Sequence, residues 1–209
     1  MQNSQRKFLP AAGLDIFLPL YDPFVKLLGA DKSRRSLIEQ ARLHAGQRVL
    51  DIGCGTGTML ILIHQLHPQV ELCGIDPDAK ALAKAEQKME RAGVSAQLVR
   101  SFSDNIPFPD ASFDRIFSSF MFHHIPANEK LPALKEIRRL LKPEGALHLV
   151  DFSGHSLLMR LSHSKDMLQN SSSEGLLALM KSADLKEASC LRNEKGLLFP
   201  RMYLRALAG

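Results

Sequence analysis

Residues 49–57, Val-Leu-Asp-Ile-Gly-Cys-Gly-Thr-Gly, constrain this 209-residue chain more than any other segment. Val49, Leu50 and Ile52 flank Asp51, and glycine then takes every second position: Gly53, Gly55 and Gly57. A short apolar run ending in such a turn reads as a buried parallel strand. The glycines clear side chains where a ligand must approach the backbone closely. Thr58-Met-Leu-Ile-Leu-Ile-His-Gln-Leu follows without a breaker and reads as a helix. Strand, glycine turn and helix form the nucleotide-binding opening of a doubly wound α/β sheet.

Two acids narrow the choice of nucleotide. A dinucleotide turn has the spacing Gly-x-Gly-x-x-Gly and a pyrophosphate at the helix N-terminus. Here Thr58 stands where the third glycine belongs, and Asp51 at the strand end would repel phosphates. A phosphate-free ligand carrying an ammonium and a sulfonium would be attracted instead; S-adenosylmethionine is such a ligand. The second acid, Asp76, ends a predicted strand over 70–75, where an acidic residue of a βαβ unit hydrogen-bonds ribose hydroxyls. That role serves either nucleoside. Asp76 with Pro77 at the first helical position also reads as a helix N-cap. The helix expected next, to about Arg91, keeps Leu82, Ala85 and Met89 on one face, with Gly93 as its C-cap.

The remaining core alternates in the same way. Residues 96–100 read as a third strand, and a proline-punctuated loop from Ser103 leads into a fourth over 113–119. Leu131, Leu134, Ile137, Leu140 and Leu141 recur at helical spacing over 128–141. Lys142-Pro-Glu-Gly145 reads as a turn and 146–151 as a fifth strand. Such alternation predicts a mostly parallel sheet with helices on both faces. The tail reads as a helix over 174–183 and strands over 186–192 and 198–206, joined by a turn at 193–196.

An acid followed by Gly-x-Gly-x-Gly resembles the first motif of the class I S-adenosylmethionine-dependent methyltransferases. Ile106-Pro-Phe-Pro-Asp-Ala-Ser-Phe-Asp114 is similar to the loop before strand four in their type 11 group, which includes the C-methyltransferases of ubiquinone and menaquinone biosynthesis. Leu140-Leu-Lys-Pro-Glu-Gly145 is similar to their next motif. The resemblance covers about residues 47–151. It implies a single Rossmann-like domain with a seven-stranded sheet whose last strand is antiparallel. Residues 1–46 would be a helical cap, 47–151 the cofactor core, 152–173 a substrate lid, and 174–209 a closing helix and hairpin.

The resemblance also implies roles. Asp51 and the turn backbone of Gly53 and Gly55 would hold the methionine amino end, Asp76 the ribose, and Pro77 one adenine face. Relatives carry Gly-Asp-Ala where this chain has Ser101-Phe102-Ser103. Phe102 cannot accept from the adenine amino group but can stack on the base, and Asp104 can act as the acceptor. Gly57, Ser103, Ser119 at the end of strand four, and Tyr21 of a Tyr-Asp segment complete the expected cofactor set.

Methyl transfer from a sulfonium is an in-line displacement, and a base is needed only when the acceptor loses a proton. His123 and His124, just after strand four, are the candidates to deprotonate a phenol, enol or activated carbon. The alternative is structural: one caps the loop and the other packs beside Phe122. His64 and His67 lack a cysteine or carboxylate to complete a zinc set, so no metal is expected.

The acceptor site is expected in the flanks. Residues 8–29 are apolar and broken by Pro10, Pro19 and Pro23, and residues 152–173 mix Met159, Met167 and leucines with basic side chains. Either segment suits a greasy acceptor or plain packing. The net charge of +5 lies there too: residues 47–151 hold 12 basic and 13 acidic side chains. Without a dense basic run nucleic acid is disfavoured; an anionic substrate and peripheral membrane contact stay open. Three scattered cysteines fit a reducing cytoplasm, and no apolar run of about 18 residues suggests a membrane span. The expected activity is methyl transfer from S-adenosylmethionine to a small or lipophilic metabolite. The alternatives are an NAD(P)-dependent oxidoreductase and a catalytically silent S-adenosylmethionine-binding protein.

Overall fold

A computed structural model describes residues 29–153, 170–194 and 200–209. Tyr21, most of the apolar N-terminal flank, residues 154–169 of the expected lid, and the expected turn from Lys195 lie outside them. The elements run α1 (Ala30–Ala41), β1 (Arg48–Ile52), α2 (Thr58–Leu66), β2 (Glu71–Asp76), α3 (Ala79–Arg91), β3 (Gln97–Arg100) and β4 (Phe113–Ser119). A 3₁₀ turn (Phe122–His124) leads to α4 (Ala127–Leu140), β5 (Leu141–Phe152), α5 (Ser173–Ser182), β6 (Lys186–Glu194) and β7 (Arg201–Leu207).

These strands form one seven-stranded sheet of order β3-β2-β1-β4-β5-β7-β6. Strands β1 to β5 pair in parallel, and β7 is antiparallel to both β5 and β6. One face packs Leu147 and Leu149 of β5 against Leu134 and Ile137 of α4 and Leu176 and Met180 of α5. The other packs Val49, Phe117, Val150 and Tyr203 against Leu37 and Ile38 of α1 and Leu60 and Ile63 of α2. The two-sided burial explains why β1 reads as an apolar run rather than as an alternating strand. Among the described residues no helix is long and apolar enough to cross a membrane.

Two expectations are corrected. The N-cap of α3 is Asp78, whose Oδ1 accepts from Lys80 N at 2.8 Å, and not Asp76. Strand β2 runs on through Asp76, so its carboxylate stays at the strand end. Lys142–Gly145 is no separate turn but an irregular start of β5: Leu141 pairs with Phe113, and the register shifts before Arg115 meets Ala146. The chain bends tightly there, since a Cβ on Gly145 would lie 2.9 Å from Lys142 O.

The proline loop before β4 is held by two side chains of α4, Arg139 and Glu136. Arg139 of α4 donates to Phe108 O at 2.9 Å, Ile106 O at 3.0 Å, Asp110 Oδ1 at 2.6 Å and Glu136 Oε1 at 2.7 Å. Glu136 in turn accepts from Ile106 N at 2.8 Å; the hydrogen bond from Arg139 holds its carboxyl below the usual range. The motif Ile106–Asp110 is therefore legible as architecture: its carbonyls splay toward one guanidinium. Arg139→Met should lower unfolding stability by about 2–3 kcal/mol, because the loop carbonyls and Glu136 lose a charged donor. A urea melt with an unchanged midpoint would refute this role.

Candidate active site

The parallel sheet reverses its winding between β1 and β4, and such a switch point opens a crevice at the strands' carboxyl ends. The glycine turn lies in it. Gly53 and Cys54 both donate to Ile75 O at 2.9 Å, and Gly55 donates to Asp76 Oδ2 at 2.9 Å, fastening the turn to the end of β2. The three glycines do different work. At Gly53 (φ +71°) a Cβ would collide with Met121 Cγ, and at Gly57 it would meet Ala85 Cβ at 3.2 Å and Met89 Sδ at 3.3 Å. Gly57 therefore lets α2 pack on α3. Of the three, only a Cβ on Gly55 (φ +53°) would meet none of the described residues within 4 Å, which is where a ligand can lie along the backbone.

Asp51 is buried, and its Oδ1 has no hydrogen-bond partner among the described residues. Burial raises its pKa to about 8; Arg34 opposes this and Asp76 adds to it. Asp76 itself is raised to about 6 by burial, with the backbone N–H groups of Asp78 and Gly55 pulling the other way. A buried carboxyl lacking a partner costs free energy unless a cation meets it. Arg34 of α1, also buried, reaches the same crevice. It pairs with Asp31 at 3.1 Å, donates through Nε to Ser119 Oγ at 3.4 Å, and stands 5.6 Å over the Phe120 ring.

Around Asp76 the structure gathers several expected residues. Ser101 N donates to Asp76 O at 3.2 Å, and Arg100 Nε donates to Pro77 O at 3.0 Å. Ser101 Oγ donates to Asn105 O at 2.7 Å, folding 101–105, with Phe102, Ser103 and Asp104 half-buried, against the β2 end.

A second group follows β4. Phe120 adopts φ +55°, a conformation that costs a bulky residue about 1–3 kcal/mol. Its N–H donates to Val150 O at 2.8 Å, and its ring lies 4.8 Å from Phe152. That bend sends Phe122–His124 across the end of β5. There Asp151 grips His123: Oδ1 lies 2.5 Å from Nδ1, and Oδ2 accepts from the His123 N–H at 3.0 Å. Asp151 Oδ1 also accepts from Phe152 N at 2.7 Å. The His124 ring is 4.0 Å from that of His123. Both histidines thus stand at the crevice edge, but only His123 is held by this carboxylate.

Sequence reasoning missed Arg34 and Asp151. Arg34 sits on a helix whose charged residues look like surface, and only its spacing from buried Leu37, Ile38 and Ala41 hinted otherwise. Asp151 was visible only as a strand end; its partner lies 28 residues away.

Strand order, glycine turn and the acid pair define a nucleoside-binding Rossmann-like domain of the methyltransferase type. A family model described as a methyltransferase domain matches residues 49–145. The demethylmenaquinone methyltransferase of Thermus thermophilus is 34% identical over 137 residues, 64% of this chain and 61% of that one. The 27-O-demethylrifamycin SV methyltransferase of Amycolatopsis mediterranei is 35% identical over 112 residues, 53% of this chain and 40% of that one. The chain thus spans less than two thirds of either relative's length. A SAM-dependent methyltransferase structure from Aquifex aeolicus superposes with a TM-score of 0.67 at 22% identity, covering 84% of this chain and 89% of that one. Over residues 49–145 the chain thus resembles a methyltransferase domain, and it is similar to demethylmenaquinone methyltransferases over part of their length. Its residues fit S-adenosylmethionine: the Asp51 oxygen, without a partner among the described residues, suits an ammonium, and the Gly55 backbone, uncrowded by them, suits a ligand lying against it.

Proposed function

We propose that this chain methylates a small lipophilic metabolite that gives up a proton as it is methylated. The observation that carries the reading is the charge pattern of the crevice: a buried carboxyl at Asp51 whose Oδ1 has no partner among the described residues, within electrostatic reach of the buried guanidinium of Arg34. That pattern complements an α-amino acid zwitterion, with the ammonium on Asp51 and the carboxylate on Arg34. Asp76 can take ribose hydroxyls with the lone pairs its two backbone bonds leave over. Pro77 and Phe102 offer apolar faces to the base, with Ser103 and Asp104 as polar neighbours; Ser119 helps to seat Arg34. S-adenosylmethionine, when bound, supplies an electrophilic methyl group. The protein's part is to align it with the acceptor, exclude water and receive the proton.

His123 is the group we place at the proton. With Asp151 on Nδ1, the imidazole is fixed as the Nδ1–H tautomer and Nε2 becomes the basic nitrogen. His124 and Phe152, packed beside it, give the acceptor an aromatic wall. The relatives named for demethylmenaquinone and 27-O-demethylrifamycin SV point to a lipophilic acceptor. Calorimetry with S-adenosylmethionine and with NADH tests the cofactor: NADH binding without S-adenosylmethionine binding would sink the reading. Labelled methyl transfer into lipid and small-molecule extracts tests the reaction. Tight cofactor binding with no transfer would favour a silent binding protein.

Asp76→Ala should weaken S-adenosylmethionine binding by roughly tenfold or more, from the lost ribose acceptor and the loosened turn. Calorimetry showing unchanged affinity would contradict that role.

A further inference from the structure

The cofactor crevice uses only the carboxyl edge of the sheet. Toward the opposite edge, on the α1 face, three basic side chains stand on adjacent strands: Arg115 on β4, His148 on β5 and Arg205 on β7. His148 lies directly opposite Arg205, and Arg115 is opposite Ala146, two residues before His148. The His148 ring stacks on Phe117 at 5.6 Å and is 1% exposed. Its Nδ1 is buried with no hydrogen-bond partner among the described residues. Burial, then the charges of Arg115 and Arg205, push its pKa down to about 3. The imidazole is therefore neutral and has an N–H to give.

The two arginines are poorly neutralised. Arg115 donates Nε to Ala41 O at 3.2 Å and Nη1 to Asp114 O at 2.7 Å, and among the described residues its Nη2 has no acceptor. Burial and Arg205 depress its pKa, against the pull of Asp114. Arg205 has no acidic partner among the described residues. The C-terminal turn of α1 covers this place, as the Ala41–Arg115 bond shows. Gln40 belongs to that turn, and its Oε1 is buried without a partner among the described residues. Its amide can present either end. Guanidiniums that repel each other beside an unsatisfied imidazole are costly alone, and a compact anion among them would offset that cost.

We infer that Arg115, His148 and Arg205 form a second binding site, for a compact oxyanion of the phosphate class, separate from the cofactor crevice. The site lies about 10 Å along β4 from Ser118, at three residues of strand rise. The ligand chemistry is that of free phosphate or of a phosphomonoester group, which planar guanidinium donors match. An occupant would tie β4, β5 and β7 to the end of α1, the helix that presents Arg34 to the cofactor.

Thermal melting and calorimetry at fixed ionic strength, with inorganic phosphate in one arm and glycerol 3-phosphate in the other, test this. Saturable stabilisation by either ligand is expected, with chloride inert. Binding of only the monoester identifies the esterified form; binding of free phosphate identifies the simple ion. Arg205→Gln should weaken the bound ligand by about tenfold or more. In phosphate-free buffer it should leave S-adenosylmethionine affinity within about twofold, as expected for a distant site. His148→Phe keeps the stack on Phe117 and should lose oxyanion affinity while remaining folded. No binding of either probe, equal stabilisation by chloride, or unchanged affinity in both variants would overturn the site.

Discussion

Asp51→Asn will weaken S-adenosylmethionine binding by about a hundredfold, because a buried charge-assisted contact to the ammonium is lost and only a neutral amide replaces it. The same substitution will remove a pH dependence whose sign is fixed. Asp51 ionises at about 8 in the folded chain, against about 4 when unfolded. Between those values the folded state holds the proton more tightly than the unfolded state. Stability of the ligand-free protein therefore falls as pH rises from about 4 to about 8. Asparagine cannot ionise, so the variant should match or exceed the wild type in stability above pH 8 while binding cofactor poorly. Cofactor affinity runs the other way. The ammonium needs the carboxylate, so wild-type affinity should rise toward pH 8, and binding should release a proton. Calorimetry in buffers of different ionisation enthalpy counts that proton. A variant that keeps both the affinity and the proton release would remove Asp51 from the site.

That carboxylate was also the most legible part of the chain, for the reason that makes it sensitive. A charged residue inside an apolar strand, next to glycines, conflicts with local packing preference, and such conflicts concentrate at functional sites. The fold was legible for the opposite reason. Apolar spacing, breakers and turns agreed over residues 47–151, so β4 was placed residue for residue and α4 to within one. Legibility failed where a role depends on a partner distant in sequence. Asp76 reads as a cap when taken alone; only the hydrogen bonds show that Asp78 caps α3 while Asp76 serves the turn. Of the three glycines, the sequence could not say that Gly57 makes room for Ala85 and Met89 while a Cβ on Gly55 would meet none of the described residues within 4 Å. Arg34 looks like helix surface until α1 is laid over Ser119 and Phe120.

The partnership of His123 and Asp151 is the extreme case, since neither residue advertises the other, and it makes the larger catalytic prediction. His123→Gln should lower kcat by about 10²–10⁴, the range for losing a positioned general base. Asp151→Asn should approach the same loss, because the amide can offer Nδ1 a donor and so turn the ring to the wrong tautomer. Neither change should move S-adenosylmethionine affinity by more than about twofold, since neither side chain is placed on the cofactor. Groups that act as a unit lose activity non-additively. The double variant should therefore be no slower than His123→Gln alone. If Asp151→Asn instead loses cofactor binding and kcat together, the carboxylate holds up the edge of β5 through the N–H groups of His123 and Phe152. The imidazole would then be a strut. If kcat falls alone and the two losses do not add, the carboxylate acts through the imidazole, and the acceptor is one that must surrender a proton to be methylated.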